Sequence, residues 1–347
     1  MNLRTAFVSI LALALVAWFL RNANIADVWT EVRQARLDLL ILGFVFVMAT
    51  YWARAIRWRY LLEPVGPTRF ASVLHATVIG FAALAILPAR VGDVLRPYLL
   101  ARRDGLATTA TFATIVLERV LDLITVVMLP AIYVWGFASS STAPDRLMQP
   151  IKVSAAIAAS ASVLVMAVMW FLATHPDRIG SFAAAAARFL PGRLSEPVGQ
   201  LASTFSSGFA AAREPRALLL ALVWSFPLWL AIAGEAWAVT VAFGIDMPFV
   251  GTFLLQSLLV IGVAVPTPGG VGSYHEMYRI GVTTSFGAPS DRAVAAAIVT
   301  HAISFVPVVL LGVVFMAQDG LSVKSLKDLA GVARQKDEKE GAHIDEV

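Results

Sequence analysis

Eight long apolar stretches limit what this chain can fold into. They fall at about residues 5–20, 37–53, 70–87, 110–137, 151–173, 217–243, 249–265 and 293–316. Most approach the roughly 20 apolar residues a helix needs to cross the ~30 Å hydrocarbon core of a bilayer. Only 14% of the 347 residues are charged, where a soluble domain carries about 25%. The bulk solvent of the fold is therefore lipid. In lipid every backbone N–H and C=O must be satisfied internally, which selects an all-α polytopic protein. With no cysteine, disulfides, thiolate metal sites and thiol nucleophiles are excluded. Residues 5–20 read as a retained first span, because Arg4 is the only basic residue before them and no small-x-small cleavage site follows.

Charge placement argues against eight simple spans. With the N-terminus inside, that topology puts twelve basic residues inside and fourteen outside. A different topology keeps the same apolar segments but makes two of them re-entrant helical hairpins. Residues 70–101 then enter from and return to the cytoplasm, and 249–285 do the same from outside. This leaves seventeen basic residues inside and six outside, with Arg90, Arg96, Arg119 and Arg279 at membrane depth. The second topology obeys the positive-inside rule. It has six full spans, two hairpins and both termini in the cytoplasm.

Each hairpin has a tip that breaks a helix. The first reads Pro88-Ala89-Arg90-Val91-Gly92-Asp93, and the second Pro266-Thr267-Pro268-Gly269-Gly270-Val271-Gly272-Ser273. A shift of 180 residues superposes Pro88 on Pro268, Val91 on Val271 and Gly92 on Gly272. The two halves, about 1–137 and 151–316, share the order span, span, hairpin, span and start on opposite sides. That is the signature of an inverted-topology repeat, an architecture that places its site between the halves. One domain thus covers 1–320. The Ala-rich loop at 174–216 suits interfacial helices, and 321–347 forms a charged cytoplasmic tail.

Three constellations carry polar chemistry. Arg90, Asp93 and Arg96 stand on the first tip, where they form either a pocket for a lipid phosphate or a closed ion network. Glu118, Arg119 and Asp122 lie deep in an apolar helix; Glu118 and Asp122 are four apart and share a face. One of these carboxylates is a candidate proton carrier. On the second tip, Gly269, Gly270 and Gly272 permit close backbone approach to a ligand. Ser273 and Glu276 there also fit a capping box. Glu235 stands mid-span with no sequence-local partner. His75, His275 and His301 are scattered, and no metal site is expected. Trp52, Trp58, Trp135 and Trp170 sit near span ends, as interfacial anchors do.

Several enzyme motifs fail on inspection. His275-Glu276-Met277-Tyr278-Arg279 has Arg where a zinc protease needs its second His. Val91-Gly92-Asp93 lacks the preceding Gly of an intramembrane aspartyl protease, and no nucleophile–base pair emerges from the spacing.

At Pro88-x-Arg90-x-Gly92-Asp93-x-x-Arg96, Glu118-Arg119-x-x-Asp122 and Pro266-x-Pro268-Gly269-Gly270-x-Gly272-x-x-x-Glu276, the chain resembles the lysylphosphatidylglycerol synthase transmembrane, or flippase-like, family. The resemblance covers roughly 3–320. It implies a multi-pass bacterial inner-membrane protein that moves an anionic, aminoacylated, isoprenoid-linked or hopanoid lipid between leaflets, without cofactor or nucleic acid. It also implies a phospholipid or polyprenyl-linked substrate, and a lipid or glycan synthase as partner. The aminoacyl-transferase domain fused to some members is not expected here, so neither is lipid aminoacylation. The family often has Glu where this chain has Asp93. Two rival readings stand beside translocation: an enzyme that modifies lipid head groups, and a non-transporting partner of a synthase.

Overall fold

The computed structural model describes residues 25–87, 91–136, 160, 164, 214–265 and 267–320. These form α1 (Ile25–Gln34), α2 (Leu37–Leu62), α3 (Phe70–Ile86), α4 (Val91–Asp104) and α5 (Thr108–Gly136), then α6 (Pro215–Ala242), α7 (Gly251–Ala264), α8 (Ser273–Phe286) and α9 (Ser290–Gln318). A 3₁₀ turn, Pro268–Gly270, lies between α7 and α8. Among the described residues there is no strand. The expected apolar stretch at 5–20, all of 151–173 but residues 160 and 164, the loop from 174 as far as 213, the tail and Arg90 lie outside the described residues.

Three helices, α2, α6 and α9, are long and apolar enough to cross a membrane. The 29-residue α5 is as long as α9 but carries Glu118, Arg119 and Asp122 in its middle. Helices α3 and α7 are shorter apolar helices. Each packs against the short helix that follows it, so α3 with α4 and α7 with α8 make two helical hairpins.

Small residues set how closely these helices approach, as packing between apolar helices in lipid requires. On α2, a methyl at Gly43 would stand 3.0 Å from Val239 of α6, and Gly234 of α6 lies under the Phe46 ring. On α9, a methyl at Gly312 would come within 2.3 Å of Ala82 of α3. The first hairpin closes where Gly92 meets the Gly80 carbonyl. The second closes where Ser273 Oγ donates to the Gly262 carbonyl at 2.6 Å.

The helix contacts come in pairs. The α3–α9 contact is matched by α7–α5, α4–α5 by α8–α9, α2–α3 by α6–α7, and α2–α5 by α6–α9. The most extensive interface joins α2 to α6. Four apolar clusters result among the described residues, two of them large. One, around Trp58, Leu61, Leu100 and Leu117, ties α2 to α3, α4 and α5. The other, around Val239, Leu255, Tyr278 and Ala293–Ala297, ties α6 to α7, α8 and α9, and α1 packs over it through Val28 and Val32.

Three local expectations are corrected. The apolar stretch expected to end at residue 53 continues as helix to Leu62. Hydropathy stops at Arg54 and Arg57, but buried carboxylates meet Arg57 and a cavity receives Arg54, so both stay on the same helix. Trp58 is fully buried and therefore no interfacial anchor. Helix α1 was not expected; an apolar stripe on a charged ten-residue segment docks it on α9, where Arg292 also pairs with Glu31 at 3.0 Å.

Candidate functional site

A buried ion cluster joins α2, α4 and α5. Arg57 of α2, fully buried, donates to Asp122 Oδ1 at 2.6 Å and to Ser225 Oγ at 3.2 Å, and its Nη2 lies 3.3 Å from Glu118. Arg96 of α4 donates to Glu118 Oε1 at 2.8 Å. Its Nε and Nη2 have no hydrogen-bond acceptor among the described residues. They belong to a guanidinium stacked over Trp58, 3.9 Å from ring carbon centroid to guanidinium carbon, a cation–π contact. Trp58 Nε1 in turn donates to Thr114 Oγ1 at 2.8 Å. Arg119 of α5 reaches Glu118 at 3.3 Å, Asp122 at 3.4 Å and Asp93 at 3.5 Å. Trp229 Nε1 of α6 donates to Asp122 Oδ1 at 3.3 Å. Charges so deep are tolerated because each carboxylate meets a guanidinium.

Beside this cluster lies a cavity of about 480 Å³. Three helices each give it a stripe at i, i+3, i+4 and i+7: Val47, Thr50, Tyr51 and Arg54 from α2; Arg119, Asp122, Leu123 and Val126 from α5; Gln256, Leu259, Val260 and Val263 from α7. Trp229, Ile232 and Glu235 of α6, with Ser304, Phe305 and Val308 of α9, complete the wall, and Thr267, Gly269 and Gly270 cap it. The lining is mostly apolar with a few converging polar groups, as ligand sites are, and the volume suits a lipid head group. Arg54 differs from the other cluster arginines. Among the described residues no carboxylate lies within 4 Å of it, and its guanidinium rests over Phe81 at 4.5 Å.

The second tip reaches the end of the first hairpin. Gly269, at φ +61, faces the Ala85 carbonyl so closely that a methyl would stand 3.2 Å from it. Its own carbonyl bonds His301 Nε2 at 2.8 Å. Gly272, at φ +89, precedes α8, and its N–H donates to His275 Nδ1 at 3.2 Å. Only glycine adopts these positive φ values without strain.

The sequence-derived residues therefore divide. Asp93, Arg96, Glu118, Arg119 and Asp122 come together in one cluster, of which Arg119 and Asp122 also face the cavity. Gly269 and Gly270 line the cavity, while Gly272 shapes the turn behind them. The expected Ser273–Glu276 capping box is replaced: Gly272 caps α8, Ser273 holds the α7–α8 crossing, and Glu276 accepts from Arg279 at 2.9 and 2.5 Å, away from the cavity. Arg96 points into protein rather than into the cavity. Among the described residues, no group of three or more His, Asp or Glu is placed to hold a metal. Sequence reasoning counted Arg54 and Arg57 as loop charges. The polar stripe Thr50, Tyr51, Arg54 was the signal that they continue a helix face.

A lipid-facing helical bundle enclosing a charged, partly apolar cavity defines a multi-pass membrane protein with an internal polar site. The chain belongs to the family described as the lysylphosphatidylglycerol synthase TM region, whose model matches residues 5–312. It is 24% identical over 353 aligned residues to "Glycosyltransferase AglD" of Haloferax volcanii, covering 95% of this chain. The chain spans only 56% of that relative's length. It is also 23% identical over 338 residues to a "UPF0104 membrane protein" of Methanothermobacter thermautotrophicus, covering 90% of this chain and 93% of the relative.

Proposed function

We propose that this protein moves a phosphate-bearing lipid between the leaflets of the bacterial inner membrane, holding the head group in the cavity between the two hairpins. Arg54 carries the reading: a cavity-facing guanidinium with no carboxylate partner among the described residues. A phosphate is the anion its fork fits. Arg119, on the neighbouring α5 stripe of the same cavity, shares its charge with three carboxylates, so it completes the anion site without collapsing onto any one of them. Glu235 aside, the four described arginines Arg54, Arg57, Arg96 and Arg119 outnumber the carboxylates Asp93, Glu118 and Asp122 by one, and an anionic head group balances that charge. Of the lipids that the family resemblance brings in, the phosphate-bearing ones, isoprenoid-linked or aminoacylated, fit this pole better than a neutral hopanoid.

The paired helix contacts support reading the fold as an inverted repeat, with α2 against α6 at its axis and α3–α4 and α7–α8 as the two re-entrant hairpins. Moving Arg54 and Arg57 out of the cytoplasmic count still leaves fifteen basic residues inside against six outside, so the topology with both termini in the cytoplasm stands. On this reading the chain relocates lipid and leaves it chemically unchanged.

The test is leaflet transfer of a fluorescent anionic lipid in proteoliposomes. A hydrogen bond to a charged group is worth about 1.5–3 kcal/mol. Arg54→Ala should accordingly slow transfer roughly ten- to a hundredfold. Transfer at the wild-type rate, at equal reconstitution, sinks the assignment. A second reading is favoured by the name of the Haloferax relative: the domain serves as the membrane partner of a lipid or glycan synthase. It is distinguished by co-purification of a synthase with a chain that moves no lipid.

A further inference from the structure

Glu235 is the one cavity carboxylate that head-group binding leaves without a role. It lies midway along α6, 4% exposed, on the cavity wall. Ser304 Oγ of α9 donates to its Oε1 at 3.0 Å. Asp93, Glu118 and Asp122 each have a guanidinium within 3.5 Å. Among the described residues, no such cation stands within salt-bridge range of Glu235.

The groups around it come from five helices. Tyr51 and Arg54 of α2, Arg119 and Asp122 of α5 and Gln256 of α7 share its cavity. Tyr274 and Tyr278 of α8, like Tyr51, sit within electrostatic reach of it. From α9 it meets Ser304; His301 stacks on Phe305 of the same helix, with His275 of α8 4.6 Å away. Both imidazoles are engaged by tip backbone, through the Gly269 carbonyl and the Gly272 N–H. Among the described residues Glu235 is thus met by one hydroxyl, that of Ser304, and the charges in its cavity stand further off.

A carboxylate removed from water with hydroxyl partners alone is costly, and one proton cancels the cost. An anion entering the same cavity would add a second negative charge opposite the first. We propose that Glu235 is a proton-binding site, and that entry of an anionic head group is accompanied by uptake of one proton onto its carboxylate. One O–H bond forms there and one breaks in the hydronium ion that gives the proton, which leaves as water through the water admitted with the head group; no other bond changes. The coupling rests on the head-group reading above, whereas the proton site stands apart from it. By reciprocity, a proton that favours the anion is itself favoured by it. Affinity for the anion is then highest with Glu235 protonated. It falls as pH rises through the Glu235 titration, by up to about tenfold per pH unit.

Two measurements on the full chain in nanodiscs test this. Infrared difference spectra across pH should show one protonated-carboxyl band in wild type that is lost in Glu235→Gln. In Ser304→Ala, which keeps the acid and removes its donor, the band should persist at a shifted frequency. Calorimetric titration with short-chain phosphatidylglycerol, at a pH just above the Glu235 titration found in those spectra and in two buffers of different ionisation enthalpy, should then report uptake of up to one proton in wild type and none in Glu235→Gln. A band that survives Glu235→Gln, or a wild type with no band, overturns the proton site. A band with no proton uptake on binding overturns the coupling. No binding of the probe at all overturns the head-group reading and the coupling together, while the band still decides the proton site.

Discussion

Substitution of Gly92 by Ala should loosen the whole charged site from a position that touches no ligand. The new methyl would stand 2.0 Å from the Gly80 carbonyl oxygen, 2.7 Å from Leu84 Cγ and 2.8 Å from the Leu84 nitrogen. Ordinary contact begins at 3.4 Å, so α3 and α4 must part by about 1.4 Å. Two of the three obstacles are backbone atoms, which no rotamer change can move aside. Arg96 follows one turn later on α4, and a comparable displacement stretches its 2.8 Å bond to Glu118 beyond hydrogen-bonding range. Overpacking alone costs about 1–3 kcal/mol. Loss of the buried pair moves the total toward the roughly 3–5 kcal/mol of a broken buried salt bridge. At about 2–4 °C per kcal/mol, the unfolding midpoint in detergent should fall by roughly 6–20 °C. Ile86→Ala, at an exposed position on the same hairpin, serves as the control. Gly80→Ala meets Arg96 Cβ at 2.7 Å across the same crossing, so the double variant should lose less than the sum of the two. A Gly92→Ala protein melting within about 1 °C of wild type would refute the close-crossing argument.

Two further outcomes follow from the contacts. Trp58→Phe removes the donor to Thr114 and weakens the platform under Arg96, and should cost about 1–2 kcal/mol in thermal or denaturant unfolding; an unchanged midpoint would mean that the indole N–H contributes nothing. Arg103 of α4 donates to Asp319 just beyond α9 at 2.9 and 3.0 Å, but both side chains are part-exposed, at 34% and 22%. A double-mutant cycle should give a coupling below about 1 kcal/mol that shrinks with added salt, and a coupling of several kcal/mol would show the pair to be shielded from water.

Much of the fold was legible in the apolar segments. Residues 70–87, 110–137, 217–243, 249–265 and 293–316 each fold as a helix close to the expected bounds. Lipid forces that result, because a span has no other way to satisfy its backbone. The clustering of Glu118 and Asp122 on one face followed from their spacing. Arg54 and Arg57 were misplaced for the opposite reason. Hydropathy scores each charge as though it faced solvent, whereas Arg57 meets Asp122, 65 residues away, and Ser225, 168 residues away. Arg96 stands three residues from Asp93 in sequence, yet its bond is to Glu118, on the neighbouring helix. Ser273 and Glu276 fitted a capping box, but a hairpin crossing and Arg279 claimed them first.

The amino-acid sequence by itself determined that this chain lives in lipid, where its helices run, and that its Pro- and Gly-rich tips break them. Those are local consequences of hydrophobicity and backbone stereochemistry, and no neighbour can alter them. Only the tertiary structure decided which charges are paired and which face the cavity. Arg57 and Arg96 became struts, Arg54 a cation facing a cavity, and Glu235 a carboxylate with hydroxyl company. A charge in a low-dielectric interior is defined by whatever stands within a few ångströms of it, and those neighbours come from helices far apart in the chain.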